Sequence, residues 1–163
     1  MERFFEENST DKAVIYRMNR NVAHYHLPGL FEFIELYRVF LPLYREHREY
    51  FYDWCDIGSI YGSPADCIWG GGRVGFGDND PQEVLELMRE YGISARLTFS
   101  NSLLKEGHLR DKKCNSLCAL FAGCGNKKNG VIVHSELLLD YLRKKYQELY
   151  FVSSLSLIHI SEP

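Results

Sequence analysis

The sequence predicts an α/β protein built as a partial (β/α)8 barrel of parallel strands, with an open doubly wound parallel sheet as the alternative closure. Three observations carry this reading. From residue 53 onward, short uncharged or β-branched runs alternate with helical segments long enough to cross between parallel strands in the right-handed sense. The run VIVH (131–134) has the continuous apolar character of a strand covered on both faces. Polar residues gather where strands end, at Ser100-Asn101, His134-Ser135 and Ser153-Ser154, where a β/α barrel places its working groups; no dinucleotide fingerprint favours the doubly wound sheet.

Taken in order, residues 13–27 hold two extended runs around Asn19-Arg20-Asn21, a turn-prone centre, and predict a hairpin. In the next segment Leu30, Phe33, Ile34, Tyr37, Phe40 and Leu41 recur on one helical face, and Pro42 should kink or end that helix before a second one through Tyr44, His47 and Phe51. DWCDIGSIYG (53–62) reads as a buried strand leading into a glycine-rich loop. Beyond it Asp80 is an N-cap, Pro81 fits the first helical position, Glu83 completes a capping-box pattern and Gly92 fits the stop.

ISARLTFSN (93–101) alternates, with Ala95, Leu97 and Phe99 on one side and Arg96, Thr98 and Ser100 on the other. A helix over DKKCNSLCALFAGC, the strand VIVH, a helix capped by Ser135 and a strand YFVSS complete the pattern. The organisation expected is a hairpin and helical lead-in over 1–52, a half barrel over 53–153 and a tail over 154–163.

Length and composition fit one globular domain: 163 residues, 45% hydrophobic and 25% charged. A net charge of -3 supplies no broad basic surface, so nucleic acid is set aside as a partner. No secretory signal and no membrane-length apolar run are present, so the expectation is a cytoplasmic protein without a membrane partner. Five cysteines, an odd number without an export signal, are expected as reduced thiols.

The stretch DCIWGGGRVGFGDND (66–80) carries five glycines in eight positions ahead of a helix start. Converging backbone N–H groups at Gly71 and Gly72, a helix N-terminus and the Arg73 guanidinium are the parts of a phosphate cradle. The spacing matches neither the P-loop nor G-x-G-x-x-G, and Asp78 and Asp80 repel an anion, so a structural connection is the preferred reading and ligand contact the second. Cys114, Cys118 and Cys124 fit no standard metal spacing and read as buried thiols. His24 and His26 share one face of a strand, but two imidazoles alone make no metal site, and none is expected. The candidate catalytic residues are those at strand ends, His134, Asn101 and Asp56; the candidate ligand contacts are Arg73, Gly71, Gly72, Tyr61 and Ser100. The cofactor is unspecified.

Residues 154–163, SLSLIHISEP, resemble the translated read-through of a sequencing adapter. That resemblance implies a fragment whose C-terminal half of the barrel is missing; a terminal strand LSLIHI is the alternative. GVIVHSELLLDYLRKKY (130–146) is similar to a strand and helix of uncharacterised bacterial barrel proteins and, distantly, of the collagenase-like peptidase family. That likeness implies a barrel whose members act on proteins or RNA-related substrates, some with iron-sulfur clusters, and it transfers no functional residue to a position here. The function expected is an enzyme acting on a small polar or anionic substrate, with a non-catalytic binding or scaffold protein as the rival.

Overall fold

The computed structural model describes residues 22–71, 79–123 and 128–154. Five strands form a single sheet in sequence order, β1 (Ala23–Pro28), β2 (Cys55–Gly62), β3 (Ser94–Phe99), β4 (Gly130–Val133) and β5 (Tyr150–Ser153), and every neighbouring pair is parallel. Helices α1 (Ile34–Glu46), α2 (Pro81–Glu90), α3 (Lys112–Gly123) and α4 (Glu136–Lys145) connect them. The sheet curls through 182°, half the circumference of a closed barrel. The half-barrel reading therefore holds, and the flat doubly wound alternative does not.

The parallel sheet already includes Ala23–Pro28, the second run of the expected hairpin. Among the described residues its neighbour is β2; the first run and the Asn19-Arg20-Asn21 turn lie outside the described residues. Ala95, Leu97 and Phe99, predicted to share one face of β3, are fully buried, as are Ile60 on β2 and Val131 and Val133 on β4. This helix-facing layer packs with Val84 and Met88 of α2, Leu117 and Phe121 of α3, and Leu138 and Leu142 of α4. On the opposite, concave face Arg96, Thr98, Ile132 and Val152 are only half-buried, and no described helix covers them.

Local chemistry explains most boundaries. Asp80 caps α2 by accepting from the Gln82 amide at 2.9 Å, with Pro81 just inside. Glu83 does not close a capping box; its carboxylate takes Arg38 of α1 at 3.1 Å instead. Gly92, at φ 64°, ends that segment in the left-handed conformation. Ser135 caps α4, accepting from Leu138 at 3.4 Å. Pro42 does not end the helix: α1 runs through it to Glu46, and in place of a second helix only a 3-10 turn (Arg48–Tyr50) follows. Ile34, Tyr37 and Leu41 are buried along α1, so tertiary packing continues the helix across the lost hydrogen bond. Among the described residues no helix is long and apolar enough to cross a membrane.

Candidate functional site at the carboxyl rim

Parallel strands deliver their carboxyl ends to one rim, and the register sets how those ends meet. The His134 amide donates to Phe99 O at 3.0 Å and the Ser154 amide to Val133 O at 2.9 Å, so the tips of β3, β4 and β5 step upward side by side. Ser100, Asn101, His134 and Gly71 belong to this rim.

Two of these residues are occupied by the backbone. Asn101 donates its amide side chain to Ile68 O at 2.8 Å, accepts from the Leu103 amide at 2.9 Å, and donates its own N–H to Trp69 O at 3.1 Å. Ser100 donates to Gly70 O at 3.0 Å. Together they clamp the 3-10 turn Ile68–Gly70 that follows β2, and Gly71 leaves that turn at φ 86°. The turn is anchored from below by Trp69, fully buried, edge-on to Phe99 at 5.3 Å, near Tyr141 at 6.1 Å and donating to His108 O at 2.8 Å. Gly72 and Arg73, the core of the expected phosphate cradle, lie outside the described residues.

His134 differs from its neighbours. Its ring is half-buried and makes no hydrogen bond among the described residues, which leaves both nitrogens for a ligand or a proton. Ser135 beside it is committed to the helix cap.

Asp56 is not brought to this rim. It stands second in β2, at the amino end, where it accepts from its neighbour's amide (Ile57, 2.9 Å) and the Tyr44 hydroxyl (3.5 Å) and lies 3.7 Å from His24. The sequence reading runs this strand over 53–62 and still counts Asp56 among the strand-end residues, although its place near the start of that run already puts it at the amino end. Tyr61 sits one residue before the end of β2, in register with Arg96 of β3 and Pro28 of β1, and so belongs to the wall below the rim. His24 and His26 take separate partners: His26 Nδ1 lies 2.8 Å from Ser59 Oγ. Burial and then the Arg96 charge and His24 hold the His26 pKa below its ordinary value. No group of three or more metal-ligating side chains occurs among the described residues.

Sequence reasoning missed two features. The register row Tyr61, Arg96, Gly130, Tyr150 crosses the concave wall, and Arg96 lies over the Tyr150 ring at 5.3 Å. The strict alternation of β3 already put Arg96 and Thr98 on one face; that this face lines a concave wall is a property of the curl. The second is a thiol pair. Cys67, which no spacing motif included, lies 3.1 Å from Cys114, both fully buried. The hydrogen bond from Cys114 lowers the Cys67 pKa to about 7, and the same bond raises that of Cys114. Cys118, one turn on, is raised by burial; Cys124 is outside the described residues.

Comparison with known proteins adds no family. No family model matches the chain, and neither a curated protein nor a solved structure matches it at a significant level.

Proposed function

We propose that the chain forms half of the wall of a bacterial cytoplasmic β/α-barrel enzyme that binds a small polar or anionic molecule at its carboxyl rim, the other half coming from further strands of the same barrel. His134 is the residue that contacts the reacting group, as acid, base or hydrogen-bond partner. The observation that carries this reading is the contrast at the rim: Ser100, Asn101 and Ser135 are bound to backbone, whereas the His134 imidazole, between the tips of β3 and β5, is bound to nothing among the described residues. The likeness to collagenase-like peptidases contributes no site residue to it.

A second reading, a binding or scaffold protein, is supported by Phe33, Leu36, Val39 and Leu43, which leave an apolar stripe along α1 between 49% and 62% exposed. The same stripe would be covered by a neighbouring helix in a closed barrel.

The test is binding of a small anionic probe, glycerol 3-phosphate, followed by titration calorimetry. Saturable binding that His134→Ala weakens by about fivefold or more, the worth of one hydrogen bond, supports the rim site. Unchanged affinity in His134→Ala removes this residue, and absence of binding refutes the rim reading.

A further inference from the structure

We propose that the concave wall below the rim holds a second ligand-binding position, for an oxyanion, the phosphate or carboxylate group of a small molecule, bound by the Arg96 guanidinium and the Thr98 hydroxyl. It goes beyond the rim reading, because it lies at mid-strand and uses none of the rim residues.

The position is built by register and alternation. Arg96 and Thr98 stand two residues apart on β3, on the face opposite the fully buried Ala95, Leu97 and Phe99. Gly130, the next residue of the cross-strand row, has no side chain, and across it the Arg96 guanidinium lies 5.3 Å from the Tyr150 ring. Any larger residue at Gly130 would meet Tyr150 O at 2.4 Å.

Two polar atoms on this wall are unmatched among the described residues. Among the described residues Arg96 Nε and Thr98 Oγ1 are both buried without a hydrogen-bond partner, and Arg96 forms no ion pair. The Arg96 cation is half-buried against the Tyr150 ring, and leaving its buried Nε–H without a hydrogen-bond acceptor is unfavourable. Burial lowers the Arg96 pKa, yet a guanidinium stays charged at neutral pH, so the imbalance is not relieved by proton loss. The nearest neighbours along the wall, Tyr61 and His26, bring a phenol and an imidazole already bonded to Ser59, neither of them an anion. The carboxylates of β2 and its flank do not reach: Asp56 is at the amino end with Tyr44 and His24, and Glu32 lies against Gly62 near the rim. An acceptor-only group of opposite charge satisfies both orphaned donors at once, through the planar fork of arginine and one hydroxyl.

The experiment is a titration of the chain with inorganic phosphate and, separately, with acetate at matched ionic strength, reading the Arg96 Nε–H resonance by NMR. The expected result is a saturable movement of that resonance, with the tighter of the two anions identifying the class. Arg96→Gln should weaken binding about tenfold or more, the size of one charged hydrogen bond, and Arg96→Lys should restore only part of it. Thr98→Val, which preserves shape and charge, should weaken it about fivefold and serves where the Arg96 variants fail to fold. His134→Ala should leave it unchanged, so failure of the rim reading and failure of this one are separable. A response linear in salt, a Thr98→Val variant with full affinity, or an Arg96 resonance that shifts with protein concentration alone, as filling by a second copy requires, overturns the proposal.

Discussion

Replacing Asn101 separates a catalytic rim residue from a structural one. In the folded protein its side chain makes two hydrogen bonds to backbone, to Ile68 O at 2.8 Å and from the Leu103 N–H at 2.9 Å. Each contributes about 1 kcal/mol net, and the site is half-exposed, so water recovers part of the loss. Asn101→Ala should therefore cost about 1–2 kcal/mol, which for a chain of this length lowers the unfolding midpoint by about 3–6 °C. Asn101→Asp sharpens the test. One carboxylate oxygen still accepts from Leu103, but the other faces the Ile68 carbonyl oxygen, so the donor is replaced by a repulsive acceptor at neutral pH.

Protonation restores a donor there, which raises the folded-state pKa of the introduced carboxyl above its unfolded value of about 3.9. Stability tied to a raised pKa is present below the unfolded value and lost as pH rises through the folded one. The deficit of Asn101→Asp relative to the parent should therefore shrink on acidification toward pH ~4 and be largest at neutral pH. Urea unfolding followed by tryptophan fluorescence reads this directly, because Trp69 sits in the clamped turn. Parent-like midpoints for both variants at neutral pH would show that the clamp does not hold the turn.

Gly130→Ala should be more damaging than its size suggests. The added carbon would stand 2.4 Å from the Tyr150 carbonyl oxygen, a backbone atom that yields only by moving β5, and overpacking of this kind costs about 1–3 kcal/mol; denaturant midpoints check it, and hydrogen exchange should show the loss concentrated in Tyr150–Ser153. The Cys67–Cys114 pair predicts a pH effect. With its pKa lowered to about 7 by the Cys114 hydrogen bond, Cys67 favours the folded state as a thiolate, a stabilisation lost as pH falls through about 7, while the raised Cys114 and Cys118 thiols oppose folding once pH exceeds the ordinary thiol range. Cys114→Ala should shift the Cys67 thiolate absorbance titration upward and flatten stability between those limits; an unmoved titration refutes the coupling.

The apolar code and the punctuation of this chain were legible one residue at a time. Alternation in β3, the Asp80-Pro81 start of α2, the Gly92 stop and the Ser135 cap are local, because each depends on hydrogen bonds and side-chain parity within a few residues. The parallel order followed from them, since a strand, a helix and a further strand close in one handedness. Long-range partners were not legible. Pro42 lies inside a helix because Leu41 before it is buried and Tyr44 after it packs against Phe51, and Asp56 stands at the amino end of β2 against Tyr44 and His24. Cys67 meets Cys114 across 47 positions, and Ser100 and Asn101 spend their side chains on a turn some thirty residues earlier. Sequence alone determined which residues face the helices and that the strands run together. Only the curled sheet decided that Arg96 and Thr98 line a concave wall with buried atoms lacking hydrogen-bond partners among the described residues, because the neighbours of a side chain across a sheet are set by register and curvature, which no local pattern encodes.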